Sequence, residues 1–325
     1  MLLNFPRFPL AHTPTALEFL PRLSQELGLR LYIKRDDQTG LAGGGNKTRK
    51  LEMLVADALE KKADTLITVG AVQSNHCRQT AAAAAKAGLR CVLVLRGDPP
   101  AEVTGNLLLD YVLGAEVRWS GSRAREAVMA EVVEEEKAAG RQAYAIPLGG
   151  STPLGTAAYV LAMLELQKQM EAQKTAFSRI VFASSSGGTQ AGLVVGTDMI
   201  GFRGEVLGVS VDEAAKALKP LVAHLATQTA GLIGQPKLYS ADVITVNADY
   251  LGGGYAVMGR PEREAITLFA QAEGIFLDPV YTGRAAAGMI DLIRRGVIHQ
   301  DETILFWHTG GAPALFAYAD QLADW

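Results

Sequence analysis

Short apolar runs alternate with amphipathic stretches along nearly the whole chain, and that alternation restricts its possible folds more than any other feature. Residues 65–69, 91–95, 180–183, 206–211 and 303–307 read as buried strands. Between them, residues 47–62 place Leu51, Leu54, Val55, Ala58 and Leu59 at helical spacing, and residues 126–139 and 283–295 read as further helices. Strands separated by helices imply parallel pairing through right-handed crossovers. At 325 residues there is room for two lobes. The expected class is α/β: two doubly wound three-layer α/β/α domains with mostly parallel sheets. No long linker divides the chain, and the richest turn cluster near its middle is Gly149-Gly150-Ser151-Thr152-Pro153-Leu154-Gly155. The alanine run at residues 81–85 suits a helix packed closely on a sheet.

Composition removes several classes of function. Hydrophobic residues make up 49% and charged ones 20%, a globular balance, and the net charge of −3 leaves no electrostatic footprint for nucleic acid. Cys77 and Cys91 can form neither a disulfide framework nor a metal-ligand pattern, and they suit small core positions in a reducing compartment. The first ten residues, MLLNFPRFPL, lack the apolar core of a signal peptide, and no apolar run approaches a membrane span. The expectation is a soluble cytoplasmic protein with no metal, nucleic-acid or membrane partner.

Three polar constellations interrupt the apolar pattern. The first is Gly43-Gly44-Gly45-Asn46-Lys47-Thr48, after the charged segment Tyr32-Ile33-Lys34-Arg35-Asp36-Asp37. Glycines let the backbone take positive φ and approach a flat ligand closely. Lys47 then opens a helix, where the positive helix end and partial burial favour the neutral, nucleophilic amine. Such a lysine is a candidate Schiff-base former and anchor for pyridoxal phosphate; the alternative is a solvated surface charge. A P-loop fails on spacing, because no G-x-x-x-x-G-K-[ST] frame fits.

The second constellation is Ser184-Ser185-Ser186-Gly187-Gly188-Thr189 after the apolar run ending at Ala183. A strand, a Ser/Gly turn and a helix start make a cup for one phosphate monoester. The competing reading is a capped helix after a glycine turn, and the absence of G-x-G-x-x-G disfavours a dinucleotide. The third is Gln73-Ser74-Asn75-His76 at the carboxyl end of a strand, where doubly wound folds bind ligands. Ser74 can cap the following helix or, with free N–H groups, grip a substrate carboxylate; Asn75 can bond a ring oxygen. His76 reads as a general acid or as a structural hydrogen-bonder.

With these in place the chain resembles the family of pyridoxal-phosphate enzymes that contains 1-aminocyclopropane-1-carboxylate deaminase, D-cysteine desulfhydrase and L-cysteate sulfo-lyase. The shared motifs are GGNKTRKLE at 44–52, QSNH at 73–76, GNLLLD at 105–110, SGGTQAG at 186–192, LDPVYTG at 277–283 and HTGGAPALF at 308–316. The resemblance implies the tryptophan-synthase-β-like fold (fold type II). Its large cofactor-binding domain would be discontinuous, residues 1–49 with 156–325, around a small inserted domain at 50–155.

It also implies roles. Lys47 would hold the cofactor, Asn75 its ring oxygen, and Ser186, Gly187, Gly188 and Thr189 its phosphate, with help from the backbone of Lys50. Ser74, Asn75, His76 and Thr282 would meet the substrate; Tyr281 would lie beside ring and substrate, with Tyr255 as a second tyrosine. Thr282 and Thr309 replace the glutamate and leucine of the cyclopropane deaminases, as in the desulfhydrase-like members. A hydroxyl there supports a neutral ring nitrogen and a weaker electron sink, sufficient when a good leaving group departs from Cβ. The implied reaction is β-elimination on a small amino acid, D-cysteine giving pyruvate, ammonia and hydrogen sulfide. L-Cysteate would use the same machinery. A non-catalytic cofactor carrier or amino-acid sensor would be marked by loss of Lys47 or Tyr281, and both are present. Family analogy implies a homodimer.

Overall fold

The computed structural model describes residues 4–323, so the first three residues of the N-terminal stretch and the last two of the chain lie outside it. Among the described residues ten strands run β1 Leu17–Phe19, β2 Arg30–Arg35, β3 Thr65–Gly70, β4 Arg90–Leu95, β5 Glu116–Trp119, β6 Ala143–Ile146, β7 Arg179–Ser184, β8 Glu205–Ser210, β9 Thr245–Asn247 and β10 Thr303–His308. The helices are α1 Pro21–Leu27, α2 Lys47–Glu60, α3 Asn75–Ala87, α4 Gly105–Val112, α5 Arg125–Ala138 and α6 Pro153–Gln173. They continue with α7 Gly188–Ile200, α8 Ala215–Leu232, α9 Arg260–Glu273, α10 Thr282–Arg294 and α11 Ala319–Ala323.

Two sheets result. A six-stranded sheet has the order β1-β2-β10-β7-β8-β9 and a four-stranded one β5-β4-β3-β6. Every pairing is parallel except that of β1 with β2. All four strands of the smaller sheet fall within residues 65–146. Side chains alternate across a pleat, so each sheet feeds two cores. Leu305 and Trp307 of β10 enter the core built with α6, α7 and α8, whereas Ile304 and Phe306 enter the one with α1, α9 and α10. Likewise Leu66 of β3 packs under α2 and α3, while Ile67 and Val69 pack against Val128 and Val132 of α5. Each sheet is covered on both faces, as parallel sheets require.

The five long apolar strands and the three helices expected from the sequence are all present. Strands β1, β5, β6 and β9 lie outside that expectation: they are only three or four residues long and lie at sheet edges. The alanine run lies in α3 with Ala81, Ala82, Ala83 and Ala84 buried. Close approach there begins at Gly70, the last residue of β3. A Cβ on it would stand 2.4 Å from Cys77 Sγ and 2.7 Å from Ser74 Cβ. The strand therefore ends in glycine because the next helix starts on top of it.

Candidate active site

One cavity gathers the carboxyl ends of β3 and β7, the amino ends of α2, α3 and α7, and Tyr281. Lys47, Ser74, Asn75, His76, Ser186, Gly187, Thr189, Tyr281 and Thr309 all line it, together with Asn46, Leu148, Gly149 and Ser185. The three constellations of the sequence thus converge on one space.

Lys47 is the first residue of α2, partly open to the cavity, and its Nζ donates to Asn46 Oδ1 at 2.9 Å. Burial pulls its pKa down to about 8; the nearby Asp278 carboxylate opposes this and Arg78 adds to it. Asn46 is anchored in turn, its amide nitrogen donating to Thr189 Oγ1 at 3.0 Å and its backbone N–H to Thr309 O at 3.0 Å. The glycines before it admit protein atoms rather than a flat ligand. A Cβ at Gly44 (φ 71°) would lie 1.9 Å from Asp37 O, and one at Gly45 (φ 132°) 2.4 Å from Gln79 Nε2.

The cup at the start of α7 is deeper than the sequence suggested. Ser186 Oγ lies 2.8 Å from Ser151 Oγ, and Gly188 N donates to the same Ser151 oxygen at 3.2 Å. The turn cluster at residues 149–155, read in the sequence only as punctuation, closes the cup. Lys50 contributes its side chain as well: it is fully buried, and its Nζ donates to Gly149 O at 3.1 Å. A Cβ on Gly188 would come within 2.8 Å of that Nζ. No carboxylate pairs with Lys50 among the described residues, and burial, then Lys47, hold its pKa well below the ordinary lysine value. A buried amine without an anion, beside a helix N-terminus and hydroxyls, is a cup built for an anionic group.

Ser74 caps α3 by accepting from Cys77 N at 3.2 Å, and it also lines the cavity. His76 is a hydrogen-bonder. Its Nε2 lies 2.8 Å from Thr68 Oγ1, and Thr68 spends its single proton on Ile146 O at 2.7 Å. Nε2 therefore carries the ring proton, leaving Nδ1 an acceptor without a partner in the protein. Burial, then Lys47 and Lys50, keep the ring neutral, so it has no proton to give on the Nδ1 side.

Tyr255 and Tyr281 meet edge to face, hydroxyl to hydroxyl at 2.6 Å. Burial raises both, Tyr255 to about 12 and Tyr281 well above the ordinary tyrosine value. Asp278, which sequence reasoning missed, fixes this corner by accepting from the backbone N–H groups of Val280, Tyr281 and Thr282. It also binds the Thr282 hydroxyl, which donates to Asp278 Oδ1 at 2.7 Å. Thr282 is fully buried and does not line the cavity, so the substrate contact expected of it is replaced by a structural one. Of the two threonines only Thr309 faces the cavity.

An amine poised near neutrality, an anion cup with a buried lysine amine, and an amide and a hydroxyl between them match the aldehyde, phosphate and ring oxygens of pyridoxal phosphate. The chain belongs to the family of pyridoxal-phosphate dependent enzymes, whose family model matches residues 9–310. It is 47% identical over 323 residues to a D-cysteine desulfhydrase from Salmonella schwarzengrund, covering 98% of this chain and 97% of that one. A D-cysteine desulfhydrase from Salmonella typhi matches equally well, at 47% over the same coverage. Among solved structures, a homologue of ACC deaminase superposes with a TM-score of 0.91 at 42% identity, covering 99% of this chain and 97% of that one. The processed form of threonine deaminase isoform 2 from Solanum lycopersicum shares the fold. It superposes with a TM-score of 0.68 at 17% identity, covering 97% of this chain and 83% of that one.

Proposed function

We propose that this protein is a β-eliminating lyase that converts D-cysteine to pyruvate, ammonia and hydrogen sulfide. The observation that carries the reading is the cavity wall, which contains hydroxyls, amides, an imidazole and an amine but no carboxylate among the described residues. Nothing acidic is placed to keep a pyridine nitrogen protonated, so the site suits a substrate whose own leaving group departs readily from Cβ. The likeness to D-cysteine desulfhydrases supports the choice of sulfide as that group.

When bound, the cofactor supplies an aldehyde that captures the substrate amine and a ring that takes up electron density from Cα. The protein would do the rest. Ser74 and the free N–H groups opening α3 would hold the substrate carboxylate. Ser186, Gly187, Gly188, Thr189 and Lys50 would hold the phosphate, and Asn75 the ring oxygen. Lys47, released as a free amine, would take the Cα proton, a general-base task contributing roughly 10²–10⁴-fold. As the Cα–H pair moves into the Cα–Cβ bond, the Cβ–S bond breaks and its electrons leave with sulfur. Tyr281, kept protonated and braced by Tyr255, would donate to the departing sulfur. Thr309 would meet the ring nitrogen, the task expected of Thr282 and Thr309 together. Water then releases ammonia and pyruvate.

The domain division, residues 1–49 with 156–325 around 50–155, is part of the proposal and is supported by the confinement of the smaller sheet to residues 65–146. A homodimer in the cytoplasm is proposed on family analogy and on the two buried, unpaired thiols. None of the described helices is long and apolar enough to cross a membrane.

The test is sulfide and pyruvate release from purified holoprotein given D-cysteine and, separately, L-cysteine. Equimolar release from the D-isomer alone is expected. No release from either isomer by cofactor-loaded protein would discard the substrate, and L-cysteate and the cyclopropane amino acid would be tried next. Lys47→Ala should lose turnover and visible absorbance together; a variant retaining both would refute the lysine's role.

A further inference from the structure

Two residues with no role in the reaction so far, Gln73 of QSNH and Asn106 of GNLLLD, interlock behind Asn75. Asn106 is the second residue of α4 and Arg78 the fourth of α3, and both are fully buried. Arg78 Nη1 lies 2.6 Å from one side-chain amide atom of Asn106 and 3.2 Å from one of Asn75. The two ends of an amide are told apart by their partners, and a guanidinium offers donors only. Both atoms facing Arg78 must therefore be oxygens. The Asn106 nitrogen then points the other way, donating to Gln73 O at 2.9 Å and to Asn75 Oδ1 at 2.9 Å. Gln73 closes the loop by accepting the Asn106 backbone N–H at 2.8 Å. With two donors already on Asn75 Oδ1, the amide group left to serve the cavity that Asn75 lines is its nitrogen.

We infer that Asn106 and Arg78 are positioning residues that hold the Asn75 amide with its N–H₂ group toward the ring oxygen of the bound cofactor, excluding the flipped amide. The inference rests on the cofactor site proposed above. A locked donor facing a negatively charged oxygen is worth about tenfold or more in affinity. A freely turning amide would offer its own oxygen part of the time and forfeit that gain. The same arginine reaches the lysine loop, where its Nη2 donates to Gly44 O at 2.7 Å. One buried cation thus ties the amide to the segment carrying Lys47.

The test compares two ligands on apoprotein, followed by quenching of tryptophan fluorescence: pyridoxal phosphate and 3-deoxypyridoxal phosphate, which lacks only the ring oxygen. Wild type should prefer the former. In Asn106→Leu the ratio of the two dissociation constants should shrink about tenfold, with affinity for the deoxy ligand little changed. A purely structural role for Asn106 would weaken both ligands alike, and an unchanged ratio overturns the inference. Should N106L fail to fold, judged by circular dichroism, N106A carries the same comparison. Equal affinity of wild type for the two ligands also overturns the inference while the cofactor site stands. A wild type that captures neither ligand overturns both.

Discussion

A lysine amine must shed its proton before it can add to an aldehyde, and Lys47 has been moved toward that state by burial, to about 8. The rate at which apoprotein captures pyridoxal phosphate should therefore rise with pH and reach half its maximum near 8, where an exposed lysine would need about 10.4. Stopped-flow absorbance across pH 6–10 measures this, and a profile still climbing above pH 9.5 would contradict the assignment. Lys47, Ser74, Asn75 and the Ser186–Thr189 stretch were legible because each sits at a strand end or helix start, and such boundaries show in the local pattern; Tyr281 was marked only by the resemblance of LDPVYTG. Asn46, Ser151, Asp278 and Arg78 were not legible. Asn46, Ser151 and Arg78 bond to distant segments, the bond from Asn46 to Thr189 spanning 143 residues, while Asp278 takes up nearby backbone N–H groups, which leave no mark on residue type. No periodicity within a window reports that. Thr282 shows the opposite failure: the motif named it, but its hydroxyl turned to Asp278 four residues back.

At the scale of elements, the junctions between strands and helices set the chemistry. The cup works because α7 begins directly under Ser151 and Lys50, with no side chain between. Gly188→Ala would put a methyl 2.6 Å from Ser151 Oγ and 2.8 Å from Lys50 Nζ. We expect it to weaken inorganic phosphate and cofactor binding by at least about tenfold, with helical content kept because alanine favours a helix. Calorimetric titration of the apoprotein with phosphate reads this directly, and unaltered phosphate affinity would remove Gly188 from the cup. Strands β3, β4, β7, β8 and β10 were legible because they are buried on both faces and read as largely apolar runs. The short edge strands β1, β5, β6 and β9 leave too few residues to register a period.

For the whole molecule, a buried charged cluster joins pieces that are distant in sequence. Asp36 accepts hydrogen bonds from Arg49, Thr15, Tyr159 and Trp307, while Arg49 and Lys34 also pair with Glu165. It links the end of β2 to α2, α6 and β10. Burial alone would raise the Asp36 pKa; Arg49, Lys34 and the Tyr159 hydroxyl outweigh it and hold the carboxyl at about 2. A depressed carboxylate pKa stabilises the fold above the ordinary value near 3.9, and that contribution fades as pH falls toward 2. It amounts to about 2 kcal/mol from the size of the shift. Urea titrations should show stability dropping between pH 4 and 2, and Asp36→Asn should remove that part of the slope. The same variant should cost about 3–5 kcal/mol at pH 7 by leaving Arg49 short of a buried counter-charge. An unchanged midpoint would mean that the cluster contributes nothing.

The position of β10 carries one more consequence, for the order in which the protein is made. This strand, residues 303–308, lies between β2 and β7 in the middle of the six-stranded sheet. A chain emerging from the ribosome holds every strand of the four-stranded sheet long before the larger sheet receives its centre. Domains fold as units during synthesis, so the smaller sheet can form early while β2 and β7 wait without a neighbour between them. Thr309, which faces the cavity and bonds Asn46 next to the lysine, arrives directly after that strand. The nascent protein is thus kept from assembling its reactive pocket until almost the whole chain has been translated.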